Sequence, residues 1–120
     1  MSKIMIVDDD IQATTLLVKI LAVEGYEVVS VNESSRAIQV AGSVIPDLFL
    51  LDLMMQDPDG FQVCRLLRSD PSFSNTPIII VSALDDSKSR GIARIAGAND
   101  YLSKPFHIDE LSERIKSLIS

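Results

Sequence analysis

Short apolar runs recur five times along the chain, and the stretches between them carry the residue spacing of amphipathic helices. The runs cover residues 4–7, 28–31, 48–51, 78–81 and 101–102. Strands that alternate with helices form right-handed βαβ units around a parallel sheet. A chain of 120 residues suits one such domain. The sequence therefore predicts a single α/β domain over residues 1–120.

The composition of each run predicts its place in the sheet. The first, third and fourth runs are continuously apolar, which is typical of strands buried on both faces. The second run contains polar residues and the fifth is very short, so both are expected at the edges. The resulting strand order, 2-1-3-4-5, is that of flavodoxin-like (βα)5 three-layer sandwiches. The alternative order 3-2-1-4-5 would bury the polar second strand and fits less well.

Helical periodicity predicts which residues face the core and where helices begin. On the fourth helix the apolar face is expected to comprise Ile92, Ile95 and Ala96. Asp10 and Asp59 precede helical stretches and are expected to cap their first turns, because a carboxylate accepts hydrogen bonds from free backbone N–H groups.

Polar residues follow four of the five predicted strands. Asp8 and Asp9 follow the first strand, Asp52 the third, Ser82 ends the fourth, and Lys104 follows the fifth. Carboxyl ends of parallel strands meet at one edge of the sheet, where open α/β folds bind ligands. Two carboxylates 4 Å apart repel by roughly 4 kcal/mol at an effective dielectric constant of 20. Either the carboxyl groups stay protonated or a cation lies among them, and the oxygen ligands favour Mg²⁺, with Mn²⁺ as its substitute.

The same residues suit phosphoryl transfer. Asp52 lies centrally in the predicted sheet and is the best candidate nucleophile, since carboxylates form aspartyl phosphates. Lys104 and the cation would neutralise phosphoryl oxygens, and the Ser82 hydroxyl would donate a hydrogen bond to one of them.

Four stretches of the chain carry the motifs of a known family. They read IVDDD at 6–10, LDLMM at 51–55 with DG at 59–60, IVSA at 80–83, and YLSKPF at 101–106. In order and spacing the sequence resembles a CheY-like response-regulator receiver domain of two-component signalling. The resemblance covers essentially the whole chain.

The resemblance implies a role for each residue of the acidic site. Asp52 would be the phosphoacceptor. Asp9, Asp52 and the backbone carbonyl of Met54 would bind Mg²⁺ directly, and Asp8 would bind it through water.

The resemblance also implies how phosphorylation is sensed. Lys104 would contact the phosphoryl oxygens, and the Lys104–Pro105 peptide bond would be cis. Ser82 would move toward the phosphoryl group, and Tyr101, the switch aromatic, would turn inward as it does so.

The implied function is a phosphorylation-controlled switch. The domain would take its phosphoryl group from a histidine kinase, a phosphotransfer protein or a small phosphodonor. It would catalyse its own phosphorylation and dephosphorylation and would turn over no separate substrate. The face formed by helix 4, strand 5 and helix 5 would change, and an unidentified effector or a second copy, in a weak homodimer, would recognise it.

Charge and composition exclude several other roles. The net charge of −6 argues against direct nucleic-acid binding. Lys88, Arg90 and Arg94 are therefore expected to form a solvated helix face. Cys64 is the only cysteine and is expected in the core. No apolar stretch approaches the roughly 20 residues that span a bilayer, and a cytoplasmic location is expected.

The sequence departs from the family pattern near the acceptor. The family often has proline four residues after the phosphoacceptor, where this chain has Gln56; Pro58 comes two residues later. Met54 and Leu84 occupy two variable positions that flank the phosphoryl site in the family. Neither can orient an attacking water, so slow self-dephosphorylation is expected.

Two other functions are compatible with parts of this pattern. A flavodoxin-like cofactor binder would share the strand order, but three aspartates after strand 1 would repel a cofactor phosphate. An aspartyl-phosphate phosphatase would usually carry an acid two residues after the nucleophile, where this chain has Met54.

Overall fold

The computed structural model describes residues 1–119. Its five strands form one parallel sheet in the order β2-β1-β3-β4-β5, as the sequence predicts. The strands are β1 (Lys3–Val7), β2 (Glu27–Val31), β3 (Leu48–Leu51), β4 (Ile78–Ser82) and β5 (Asp100–Ser103). The two edge strands are β2 and β5, as the polar residues of the second run and the shortness of the fifth predicted.

Five α-helices connect and cover the strands. They are α1 (Ile11–Val23), α2 (Ala37–Val44), α3 (Gly60–Ser69), α4 (Ser87–Ala96) and α5 (Ile108–Ile119). Two short 3₁₀ turns, Ser34–Arg36 and Pro71–Phe73, precede α2 and β4. Each turn is only three residues long, so hydrophobic periodicity could not reveal it.

The side chains of the central strands alternate between two core layers. In β1, Met5 and Val7 pack in the layer that contains the inner faces of α2, α3 and α4. Ile4 and Ile6 pack in the opposite layer with α1 and α5. All four side chains are essentially inaccessible to solvent. Helices on both faces of the sheet make the predicted three-layer sandwich.

Two aspartates cap helices as predicted. The Asp10 carboxylate accepts hydrogen bonds from the backbone N–H groups of Gln12 and Ala13 at the start of α1. Asp59 caps α3, and the Gln62 side chain accepts a hydrogen bond from the Asp59 N–H in return. This capping box fixes where α3 begins.

The predicted inner face of α4 is wrong at one position. Ile95 is 89% exposed, whereas Ala93 and Ala96 are buried. The small alanines let α4 approach α3, and the Cys64 thiol lies 3.5 Å from the Ala96 carbonyl. The small side chains of Ala93 and Ala96 define the side of α4 that faces the core, and the apolar spacing alone does not report size.

The first residue of α3 lies against the end of β3. A Cβ atom on Gly60 would overlap the backbone oxygen of Asp52 and lie 2.6 Å from Cα of Leu53. The Gly60 N–H also donates to the Leu53 carbonyl at 3.1 Å. Only glycine permits this approach, which places the start of α3 directly behind the acidic site.

A single arginine joins several segments at the amino end of the sheet. The Arg68 guanidinium donates to the carbonyls of Gly97 (2.9 Å), Phe73 (2.7 Å) and Thr76 (2.6 Å), and to the Asn99 side-chain oxygen at 2.7 Å. These contacts connect the end of α3 to the segments that lead into β4 and β5.

Candidate functional site

Three carboxylates come together at the carboxyl end of the sheet. Val7 and Leu51 are in register, so Asp8 and Asp52 leave neighbouring strands side by side. One carboxylate oxygen each from Asp8, Asp9 and Asp52 lies within 4.8 Å of the other two. Asp8 and Asp52 are buried, and Asp9 is exposed.

Hydrogen bonds fix the two buried carboxylates. Asp8 accepts from the Asp10 N–H at 3.0 Å and from the Lys104 ammonium at 2.9 Å. Asp52 accepts from the Met54 N–H at 3.2 Å, and its other oxygen lies 3.6 Å from the same ammonium. The Lys104 ammonium thus lies between the two acids, although its place after the edge strand β5 predicted a position beyond Ser82.

The ionisation of the cluster reflects burial and crowding. Burial raises the pKa of Asp8, and the neighbouring Asp52 charge adds to the rise, whereas the Asp10 N–H and Lys104 oppose it. Burial alone would lower the pKa of Lys104, but the hydrogen bond to Asp8 and the charge of Asp52 outweigh burial and raise it. Lys104 is therefore a persistent cation within an acidic pair.

The donor set fits a hard divalent cation. At their formal charges, three carboxylates and one ammonium leave two negative charges without a counter-charge, and the oxygens are close enough to share one ion. Mg²⁺ is typically held by one or two carboxylates and retains several waters, which the exposed side at Asp9 would admit.

Ser82 and Tyr101 lie beside this cluster on β4 and β5. Ser82 is fully buried; its hydroxyl oxygen accepts from the Leu84 N–H at 3.3 Å, and its carbonyl accepts from the Lys104 N–H at 2.8 Å. Tyr101 is buried, and its hydroxyl donates to the Leu84 carbonyl at 2.5 Å. Burial raises the Tyr101 pKa, while the Ser82 hydroxyl and Arg90 oppose the rise. The aromatic ring is therefore turned inward in this structure.

A polar cluster that the sequence did not predict lies over Tyr101. The Arg90 guanidinium lies 4.6 Å from the centre of the Tyr101 ring and donates to Asp85 (2.6 Å) and Ser103 (2.8 Å). Ser103 also donates to Asp85. Arg90 is thus hydrogen-bonded to neighbouring side chains and is not merely part of a solvated face. Asp85 precedes α4, so no helical spacing linked it to Arg90.

The loop after β3 has a shape that the sequence did not specify. Met54, in this loop, is 55% exposed. Leu84, which follows β4, is half-buried. The Gln56 carbonyl accepts a hydrogen bond from the Ser34 hydroxyl, at 2.9 Å.

The predicted cis peptide at Lys104–Pro105 is confirmed, and Asp57–Pro58 is cis as well.

Cys64 is buried on α3, as predicted. Within residues 1–119, none of the helices combines the length and apolarity needed to cross a bilayer.

Comparisons with known proteins agree with the motifs. The family Response regulator receiver domain matches residues 4–116. The chain is 39% identical over 119 residues to Response regulator PleD of Caulobacter vibrioides, covering 98% of this chain and 26% of that protein. It is 34% identical to the DNA-binding dual master transcriptional regulator RpaA of Synechocystis, covering 99% of this chain and 49% of that protein.

A solved structure gives the same result for the fold. The activated N-terminal receiver domain of Klebsiella pneumoniae RstA superposes with a TM-score of 0.92 at 32% identity, covering 98% of this chain and 97% of that one. The chain spans a quarter to half of the length of PleD and RpaA. Its match over nearly its whole length shows that it belongs to the response regulator receiver domain family of two-component signalling.

Proposed function

We propose that this receiver domain accepts a phosphoryl group on Asp52 in a reaction that requires Mg²⁺, and that the modification switches its surface. The observation that carries the proposal is the three-carboxylate cluster with the Lys104 ammonium placed between Asp8 and Asp52. The donor would be a phosphohistidine of a histidine kinase or phosphotransfer protein, or a small phosphodonor.

The contacts favour Asp52 over its neighbours as the nucleophile. Both oxygens of Asp8 accept hydrogen bonds, from Asp10 and from Lys104. Asp9 is exposed, where water would shield it from the other groups. Asp52 leaves the central strand β3, is buried, and keeps one oxygen 3.6 Å from Lys104 without a short hydrogen bond.

The reaction would join one Asp52 oxygen to phosphorus while the bond from phosphorus to the donor atom breaks. The leaving group keeps that bonding electron pair. Bound Mg²⁺ supplies counter-charge for the phosphoryl oxygens. Lys104 would neutralise a further oxygen, and the Ser82 hydroxyl would donate to one after releasing the Leu84 N–H.

The switch would run from Ser82 to the surface of α4, β5 and α5. Tyr101, Leu84 and Ser82 form one hydrogen-bonded group, so movement of Ser82 would alter the contacts of the Tyr101 hydroxyl. Above it lies a cavity of about 200 Å³ whose lining includes Tyr101, Arg90 and Arg114. An effector, or a second copy of the chain, would bind there.

The test is incubation with Mg²⁺ and acetyl phosphate or phosphoramidate, followed by intact mass measurement. Wild type should gain one phosphoryl group, and Asp52→Asn should gain none. Asp109→Asn, an exposed carboxylate at the start of α5, is the matched control and should react like wild type. Equal labelling of wild type and Asp52→Asn would refute the assignment of the acceptor.

A further inference from the structure

The loop after β2 contacts both loops that carry the acidic site. Asn32 donates both hydrogens of its side-chain amide, one to the Asp8 carbonyl and one to the Thr14 hydroxyl, each at 2.9 Å. The Asp8 N–H in turn donates to the Val31 carbonyl at 3.1 Å. The backbone of Asp8 is therefore held to this loop on both sides of its side chain.

The same loop holds the segment after β3. Ser34 is only 6% exposed, and its hydroxyl donates to the Gln56 carbonyl at 2.9 Å. Gln56 stands four residues after Asp52. It is two residues after Met54, whose carbonyl is a proposed cation ligand. Glutamine does not restrict its own backbone as a proline at this position would, and the Ser34 hydrogen bond supplies a restraint from outside the segment.

The hydrogen bonds of Asn32 and Ser34 lie beside one open pocket next to the acidic site. A cavity of about 260 Å³ is lined by Asp9, Asn32, Ser34 and Gln56, among others. Neither Asn32 nor Ser34 belongs to the acidic cluster, yet each fixes the backbone of a different ligand-bearing loop.

We propose that Asn32 and Ser34 are positioning residues for the divalent cation, which set its affinity by holding the loops of Asp8 and Met54 in register. The proposal rests on the cation site proposed above. Hydrogen-bond partners behind metal ligands typically change metal affinity 10- to 100-fold when removed, because the ligands must then be ordered on binding.

The experiment is calorimetric titration of the unphosphorylated chain with MgCl₂. Asn32→Leu keeps the approximate size of the side chain and removes both donated hydrogens. Ser34→Ala removes only the hydroxyl. Each should weaken Mg²⁺ binding by about tenfold, and the double variant by about the product, since the two residues act on separate loops.

Controls separate positioning from general destabilisation. Asn75→Leu and Ser74→Ala make the same chemical changes in the exposed segment before β4 and should bind Mg²⁺ like wild type. Thr14→Val removes one acceptor of Asn32 but leaves the Asp8 contact, so a loss of less than threefold is expected. Stability in EDTA is measured for every variant, because a purely structural role would lower it without changing the dissociation constant.

The outcomes distinguish this inference from the proposed function. Asp9→Asn should lose Mg²⁺ binding. If it does, and Asn32→Leu and Ser34→Ala bind as tightly as wild type, the positioning role alone is refuted. If wild type itself binds no Mg²⁺, both the cation site and the positioning role are refuted.

Discussion

Charged side chains lie at both ends of the sheet, but the groups that surround them differ. At the amino end, Arg68 donates to four neutral oxygens, three of them backbone carbonyls. At the carboxyl end, three carboxylates lie together beside one ammonium, that of Lys104, which contacts two of them. The hydrogen-bond acceptors of Arg68 all belong to the chain, whereas the acidic site carries more negative charge than the chain itself offsets.

The difference separates polar residues that hold the fold together from those that bind something else. Arg68 is half-buried and commits four of its five N–H donors to oxygens of the chain, which leaves it little capacity for a ligand. Crowding like charges lowers stability and is retained where function requires it. The two ends should therefore respond to substitution and to Mg²⁺ in opposite directions.

The largest effect is expected at the amino end. Arg68→Met removes every donated hydrogen bond and leaves carbonyl oxygens without partners, so the free energy of unfolding should fall by about 3 kcal/mol. Urea denaturation measures this. Arg65→Met, an exposed arginine on the same helix, should change stability by less than about 0.5 kcal/mol. Equal losses in the two variants would break the contrast between the two ends.

At the carboxyl end, Mg²⁺ should supply stability that the chain lacks. At a Mg²⁺ concentration 100 times the dissociation constant, the free energy of unfolding should rise by about 2.7 kcal/mol over its value in EDTA. Asp9→Asn should be at least as stable as wild type in EDTA, because it relieves repulsion, and should gain little from Mg²⁺. A destabilised Asp9→Asn protein in EDTA would mean that the cluster is not under electrostatic strain.

The apolar residues around the site should govern how long the phosphoryl group persists. Met54→Asn/Leu84→Glu introduces groups that can orient an attacking water, and decay of the phosphorylated protein should become about tenfold faster, or about 1.4 kcal/mol in barrier. Intact mass measured over time after removal of the phosphodonor gives the rate. Ile95→Asn, far out on α4, is the control; if the double variant decays no faster than this control, the explanation fails.

The smallest effect is the pH dependence of Asp8. Because its folded-state pKa is raised above the ordinary value of 3.8, its stabilising contribution is complete below that pH. The contribution is lost as pH rises through the raised pKa. In EDTA, wild type should therefore lose stability relative to Asp8→Asn as the pH rises, which urea denaturation at several pH values measures.

The amino end provides the reference for that titration. Arg68 contacts only groups that do not titrate, so the difference between wild type and Arg68→Met should stay constant between about pH 4 and pH 7. A gain in the stability of wild type relative to Asp8→Asn with rising pH would contradict the sign given for Asp8.

The sequence predicted the sheet order and the members of the acidic cluster because both follow from local patterns. Continuous apolar runs identify central strands, and residues that directly follow such strands must meet at one edge. Ile95 was misplaced because apolar spacing does not record side-chain size. Arg90 and Asn32 were missed because their partners lie on other elements, and only the packed structure brings them together.

The contact of Gly60 with the main chain of Asp52 has a consequence for how a signal can leave the domain. A shift of α3 would push against the backbone of the acceptor residue, so we expect this flank to stay in place while chemistry occurs. On the opposite flank, the first turn of α4 is held to β5 through the side chains of Arg90, Asp85 and Ser103, which can exchange partners at modest cost. We therefore expect structural change to spread in one direction across the sheet, from β3 toward β5.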